Sequence, residues 1–357
     1  MLFFTVKDAR LFAAHSFLSS LLLTRNGYGR NEALFDADIL IAHILKKERS
    51  WLLSHSDFDF LPYKNEFEAF VQKRSSGIPI AYLTGTKDFF GRTFYVNENV
   101  LIPKPDTETL VEHALNFARE RFKKNESLFV LDICTGSGCI GLSLAAELYE
   151  SAFMQNTMQN TLNKPQRAQR TQRDNLGICN LNIFETSDEV NLNKDLKNYF
   201  SEKFFLVLAD ISEEALKVCK KNMDSLLPSA LYKRAIAVRA DLRLSFPCVP
   251  EPKRSYDLIT ANPPYVPSRL TESLLGDGRS EPRLALDGGI EGLDLIPPLA
   301  QNSYLSLNFG GKLFVEVGEY HAAQAAEIFR NAGFSQVQIH KDLAGSDRVI
   351  ECTKFSP

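Results

Sequence analysis

Asn262-Pro263-Pro264-Tyr265 are the residues best suited to chemistry, because they follow the apolar run Tyr256–Ala261 (YDLITA) without an intervening loop. Prolines end a strand by removing backbone donors. Gly, Asp or Ser would make a turn with less rigidity, so the stiffness needs a reason. A planar amide or ring-amino nitrogen is a poor nucleophile, because its lone pair is delocalised. Two hydrogen-bond acceptors that grip its hydrogens draw it toward pyramidal geometry and free that lone pair. The side-chain oxygen of Asn262 is one such acceptor, and the backbone carbonyl of Pro263 is the natural second. The fixed φ of Pro263 and Pro264 holds the carbonyls outward, and Tyr265 offers a flat face for a planar group to stack on. Such work is positioning and electrostatics, so it asks for no general base of shifted pKa. A plain rigid turn is the structural alternative.

A second constellation lies upstream in Phe129–Ala145 (FVLDICTGSGCIGLSLA), which reads as strand, glycine turn and helix. Gly136, Gly138 and Gly141 satisfy G-x-G-x-x-G, a weak pattern whose first interpretation is a dinucleotide site. Asp132 argues otherwise. A carboxylate at the strand end repels a pyrophosphate and attracts an ammonium group, or the amide donors of a turn that holds one. S-adenosylmethionine carries an amino group and a sulfonium and no phosphate. Asp132, Cys134, Thr135, Gly136, Ser137 and Gly138 are therefore candidate contacts for its methionine part, where glycines admit close backbone approach and a helix N-terminus suits a carboxylate. The next apolar run ends in Asp210, placed to accept from both ribose hydroxyls. The third ends in Asp241 and Leu242, beside the expected adenine. Asn262 then meets the cofactor from a fourth run. Strand-end aspartates also serve as ordinary helix caps, which is the competing explanation for each acid taken singly.

These residues need a scaffold that brings several strand ends to one edge. From Leu128 onward, LFVLDI, FFLVLAD, AIAVRAD, YDLITA and KLFVEVG alternate with helical stretches such as SEEALKVCKKNM. Continuous apolar strands between helices predict a parallel sheet covered on both faces. The last two runs, FSQVQIHK and DRVIECTKF, lie close enough to pair antiparallel. Residues 1–85 read as a small helical bundle. One helix is expected from Val6 to a stop at Gly27, with Val6, Leu11, Phe12, Phe17, Leu18, Leu21 and Leu22 at helical spacing, and a second with Asn31 as N-cap. A β-hairpin is expected across Gly91-Arg92 in a linker, 86–103. Residues 104–357 form the large domain. Within it, about 151–201 is polar and rich in Gln, Asn and Thr, and is expected to be a disordered insertion. Its Arg167, Arg170 and Arg173 lack interleaved aromatics, so an RNA contact is the lesser interpretation.

Composition sets limits on function. A net charge of -3 over 357 residues gives no field that predicts a nucleic-acid or membrane partner. FLSSLLL is too short to span a bilayer, and its flanks do not resemble a signal peptide. The six cysteines contain no C-x-x-C pair, and the six histidines show no metal-ligand spacing, so no metal site is expected. The expected setting is the cytoplasm.

Asn-Pro-Pro-Tyr with the glycine turn closely resembles the amino-methyltransferases that act on adenine, cytosine, guanine or glutamine side chains. Gly77–Glu112 (GIPIAYLTGTKDFFGRTFYVNENVLIPKPDTETLVE), EPRLALDGGIEGLD and DLAGSDRVIE narrow the resemblance to the HemK/PrmC type, the peptide chain release factor glutamine N5-methyltransferases. That resemblance covers nearly the whole chain outside the insertion. It implies a Rossmann-like, seven-stranded class I methyltransferase domain, preceded by the helical bundle and hairpin linker. It further implies S-adenosylmethionine as cofactor and, as substrate, the glutamine of the Gly-Gly-Gln loop of release factors. The helical domain would help dock that factor. A monomer is expected, with no direct nucleic-acid partner. A sister group methylates a ribosomal-protein glutamine, but its linker runs Pro-Arg-Ser-Pro where this chain has PKPDTE. A nucleic-acid base remains the other alternative acceptor. Two residues depart from the family: Cys134 stands where glycine is frequent, and Lys104 replaces a common arginine, losing a planar fork of donors.

Overall fold

The computed structural model describes residues 4–25, 27–162, 199–247, 255–276 and 280–356. The N-terminal part holds helices α1 (Val6–Leu18), α2 (Arg30–Leu45) and α3 (Lys64–Ser75), with short helices Leu21–Thr24, Arg49–Ser54 and Ile80–Thr84 between and after them. The expected single helix to Gly27 breaks at Ser19 and Ser20, where Ser19 Oγ turns back to the His15 carbonyl and Ser20 Oγ reaches the Ser75 carbonyl. Its buried face agrees with the expectation at Val6 and Phe17 and differs from it elsewhere. Ala9, Ala13, Ala14 and Phe17 pack inward, whereas Leu11, Phe12, Leu18 and Leu21 are exposed. Alanines let α1 lie close to its neighbours, a packing that large side chains do not advertise. Helix α2 is capped by Gly29, whose amide donates to Glu32, so Asn31 is already inside the helix.

The linker forms a hairpin of β1 (Thr86–Phe89) and β2 (Arg92–Tyr95). Its turn is Phe90-Gly91, both at positive φ, one residue earlier than expected, and Arg92 belongs to the second strand. Helix α4 (Glu108–Lys123) follows.

The large domain is built on seven strands: β3 (Leu128–Ile133), β4 (Phe204–Asp210), β5 (Ala235–Arg239), β6 (Tyr256–Ala261), β7 (Leu307–Glu316), β8 (Gln336–Lys341) and β9 (Asp347–Thr353), in the order β5-β4-β3-β6-β7-β9-β8. Strands β3 to β7 are parallel, and β9 runs antiparallel to both β7 and β8. The chain winds outward from β3 through β4 to β5, then returns to lay β6 on the other side of β3. Sheets of this kind open a crevice at the carboxyl ends of the strands where the winding reverses. Here the reversal lies between β3 and β6, whose register pairs Asp132 with Thr260 and Ile133 with Ala261. That pairing sets the glycine turn and the Asn-Pro-Pro-Tyr corner side by side. Alternate residues of β3 enter different cores, Leu128 and Val130 on one face and Phe129, Leu131 and Ile133 on the other.

Helix α5 (Cys139–Leu162) leaves the glycine turn and runs past residue 151. Tyr199 and Phe200 are buried in the core beside Phe122 and Phe204. Both ends of the expected insertion therefore belong to regular structure, and the disorder expected between them falls on 163–198, outside the described residues. Helix α6 (Glu213–Leu226) follows β4. No helix among the described residues is long and apolar enough to cross a membrane.

Candidate active site

A cavity of about 370 Å³ opens at the carboxyl edge of the sheet. Cys134, Thr135, Gly136, Ser137, Asp210, Asp241, Leu242, Asn262 and Pro264 line it. The structure thus gathers most of the residues singled out above. Asp132, Gly138, Pro263 and Tyr265 do not line it.

Of the two expected roles of Asp132, the structure shows the one toward the donors of the turn and not the one toward a ligand in the cavity. The two-residue period of β3 turns its side chain under helix α5, where it is fully buried. Its carboxyl accepts from Thr135 Oγ1 at 2.5 Å, Thr260 Oγ1 at 2.7 Å and the Gly141 amide at 3.2 Å. Burial pushes its pKa up to about 6 against the pull of those donors. Asp132 therefore braces the turn from below and does not face a ligand. Gly141 permits this closeness, since a Cβ there would sit 2.6 Å from Leu208 and 3.0 Å from the Asp132 Cβ. Gly138 is likewise internal, at φ +83° against Leu142.

The turn is also tied sideways. Thr135 N donates to the Ala209 carbonyl at 3.0 Å, and Gly136 N to Asp210 Oδ2 at 2.8 Å. The other Asp210 oxygen accepts from the Ser212 amide at 2.9 Å, while Ser212 itself caps helix α6. A carboxylate has about four acceptor positions, so these two bonds leave Asp210 acceptor positions to spare. Burial raises its pKa, and the amides oppose that. Asp241 is bound by Arg243 Nη2 at 2.6 Å, which holds its carboxyl below the usual range. Cys134 adopts φ +60°, a left-handed conformation that costs a non-glycine residue about 1–2 kcal/mol. That strain explains why glycine suits the position. Burial pushes the Cys134 thiol well up.

The turn itself brings no lysine or arginine, and the two basic residues of the cavity lining, Lys104 and Arg243, are each paired with an acid, Glu281 and Asp241, while Asp210 and Asp241 face the same space. Gly136, at φ +54°, leaves open room where a side chain would stand. This donor set suits a ligand that brings hydroxyl and ammonium donors and carries no phosphate.

The corner is clamped by a segment whose role the sequence did not disclose. Gly288 lies against it: a Cβ there would be 2.7 Å from the Pro264 oxygen and from the Tyr265 Cα. At Gly292, with φ +74°, a Cβ would come within 2.3 Å of the Tyr265 oxygen. Val266 N donates to the Leu286 carbonyl at 2.9 Å, Gly288 N to the Val266 carbonyl at 2.8 Å, and Ser268 Oγ to Asp287 at 2.6 Å. The Pro264 oxygen lies against this clamp; Asn262 lines the cavity, whereas Pro263, which carries the second expected acceptor, is buried beside it. Asn262 Nδ2 lies 3.4 Å from Thr107 Oγ1. Tyr265 does not line the cavity. Its hydroxyl donates to buried Glu316 at 3.0 Å.

Two further residues were missed. Asn222, fully buried on α6, accepts from Tyr95 N at 2.7 Å and donates to the Tyr95 and Ser137 carbonyls at 3.0 and 2.8 Å. It joins the hairpin linker to the glycine turn. Glu281, 6 % exposed, receives Lys104 Nζ at 2.7 Å and the Ile102 amide at 3.3 Å across the cavity mouth. Neither has a sequence signature beyond an isolated polar residue. Away from the cavity, His113, His340 and Glu351 place ligand-type atoms within 4.8 Å of one another. The histidine rings stack at 3.9 Å, and Lys312 already pairs with Glu351.

A sheet of this order, with a rigid acceptor corner beside a glycine turn, defines a methyltransferase. The PrmC N-terminal domain family matches residues 20–85. The release factor glutamine methyltransferase of Clostridium botulinum is 30% identical over 322 residues, covering 90% of this chain and 92% of that one. Its counterpart in Leptospira interrogans is 31% identical over 327 residues, covering 90% and 91%. A crystal structure of a release-factor-specific protein-(glutamine-N5) methyltransferase from Alicyclobacillus acidocaldarius is 23% identical, covers 74% of this chain and 100% of that one, and has a TM-score of 0.33. The chain belongs to the release factor glutamine methyltransferase family.

Proposed function

We propose that the protein methylates the side-chain amide nitrogen of the glutamine in the Gly-Gly-Gln motif of peptide chain release factors, with S-adenosylmethionine as methyl donor. The observation that carries this is the corner itself: Asn262 lines the cavity beside the glycine turn, on a backbone clamped by Gly288 and Gly292. Asp210 and Asp241 would hold the hydroxyls and adenine end of the cofactor, with Leu242 packed beside them. Cys134, Thr135, Gly136 and Ser137 would face its methionine part, on a turn supported by Asp132 and Gly138. When bound, the cofactor supplies an electron-poor methyl carbon on sulfur.

The chain's own residues do the rest. Asn262 Oδ1 and the Pro263 carbonyl accept the two amide hydrogens of the glutamine. Their pull localises the nitrogen lone pair and aims it along the transfer axis. The rigid corner makes these acceptors available without reorganisation, which is where electrostatic catalysis gains most. Lys104 and Glu281 brace the mouth through which the glutamine enters. We take the enzyme to work as a monomer in the cytoplasm, without a nucleic-acid partner. The test is incubation with methyl-labelled S-adenosylmethionine and purified release factor, ribosomal protein, RNA or DNA, with the label located by mass spectrometry. Label on the Gly-Gly-Gln glutamine supports the proposal; label on another acceptor alone would refute it.

A further inference from the structure

Glu316 closes strand β7 and is 1 % exposed. Burying a carboxyl costs stability unless its oxygens find partners. Tyr265 OH donates to Oε1 at 3.0 Å, but Oε2 has no hydrogen-bond partner among the described residues. The Thr107 hydroxyl also acts on this carboxyl, and Thr107 Oγ1 stands 3.4 Å from Asn262 Nδ2. Tyr265 is thus tied directly to this acid, and Asn262 neighbours a hydroxyl that bears on it. Arg348 and Asp106 are the other charges that act on it, with opposite effects. An unsatisfied buried acceptor costs about 1–3 kcal/mol, so an apolar residue would be the cheaper filling for a purely structural position.

We infer that Glu316 is a positioning residue for the transfer step: through Tyr265 and Thr107 it fixes the two ends of the Asn262–Tyr265 corner against β7. It touches neither substrate nor cofactor, and it does not line the cavity. Its effect is to stop the Tyr265 ring from swinging and to hold Thr107 where Asn262 needs it. This rests on the function proposed above.

The experiment compares wild type with Glu316→Leu, Glu316→Gln, Tyr265→Phe and the Glu316→Leu/Tyr265→Phe pair. Methyl transfer to release factor gives kcat and KM, and calorimetry gives S-adenosylmethionine affinity. A displacement of about 1 Å at a reacting group costs on the order of 10²-fold. Glu316→Leu is expected to lose about that much in kcat, with KM and cofactor affinity unchanged. Glu316→Gln, which keeps an acceptor for Tyr265, is expected to recover most of the loss. The double variant is expected to be no worse than Glu316→Leu alone, since both changes break one link. Wild-type kcat in Glu316→Leu, or equal damage in Leu and Gln variants, would overturn the inference. So would losses of kcat and cofactor affinity in parallel. Should Glu316→Leu fail to fold, Tyr265→Phe decides, because it removes the same bond from the other side: full kcat there ends the inference. Wild-type protein that transfers nothing to release factor sinks the proposed function and this inference together. Wild-type transfer with undamaged variants sinks this inference alone.

Discussion

At the scale of single residues, the site divides into groups that would touch the reaction and groups that hold those in place. Asn262 is of the first kind. Replacing it with Ala removes one acceptor that matters in the transition state, so turnover is expected to fall about 10²–10³-fold while S-adenosylmethionine still binds. Titration calorimetry beside steady-state rates checks this, and equal loss of both would count against the role. Asp132 is of the second kind, and it leaves a signature in stability. Its folded pKa of about 6 exceeds the ordinary 3.8. The folded chain then holds a proton that the unfolded chain has released, so stability from this group is greatest below about pH 4 and is lost as pH rises toward 6. The full change is of order 3 kcal/mol. Asp132→Asn is expected to remove this decline between pH 4 and 6, as read by thermal melts across that range. An identical pH profile in variant and wild type would mean that the carboxyl is not so placed.

At the scale of elements, hydrophobic period exposed the sheet and left its fastenings unseen. Continuous apolar runs marked β3 to β7, since both faces of a doubly covered sheet must be apolar, whereas the more polar β8 and β9 were read from their closeness in the chain. The corner was legible because prolines at the mouth of such a run are costly without a purpose. Asp132 was placed only in part: position in a motif says that an acid is near the turn, whereas the alternation of β3 decides which side it faces. The apolar face of α1 was read only at Val6 and Phe17, because Ala9, Ala13 and Ala14 complete its core and carry little hydrophobic signal. The clamp was invisible, because two glycines acquire meaning only when the Tyr265 backbone lies against them. Gly292→Ala tests it. At φ +74° and 2.3 Å from the Tyr265 oxygen, a methyl group cannot fit without moving the corner. The variant is expected to lose about 1 kcal/mol or more of stability and most of its turnover, while cofactor affinity is retained. Undiminished turnover would show that the corner does not depend on the clamp. Asn222→Leu tests the other fastening. Leaving the Tyr95 amide and Ser137 carbonyl unpaired is expected to cost about 1–3 kcal/mol each, seen in denaturant melts, and to weaken cofactor binding through the turn. Unchanged affinity would separate the linker from the turn.

At the scale of the whole molecule, the reversal of winding between β3 and β6 is what makes the chemistry possible. It brings residues 130 positions apart in the chain, Asp132 and Asn262, onto adjoining strand ends. The linker completes the cavity wall, and the Lys104–Glu281 pair ties it to the clamp segment. The helical domain supplies none of the cavity's lining residues; its exposed face is where the substrate-docking role expected from the resemblance can be tested. Leu11 and Leu21 are 50% and 75% exposed on it. Leu11→Glu with Leu21→Glu is expected to raise KM for release factor and leave kcat at saturation and the melting temperature unchanged. An unmoved KM would remove this face from the docking surface.

The central claim is that a stiff corner grips the glutamine amide by its two hydrogens. It is tested most directly by a crystal structure of the protein with S-adenosylhomocysteine and a Gly-Gly-Gln peptide. The account predicts hydrogen bonds from the glutamine nitrogen to Asn262 Oδ1 and the Pro263 carbonyl, with that nitrogen facing the sulfur. A bound glutamine whose amide hydrogens are held by other groups, with Asn262 turned from the sulfur, would contradict it.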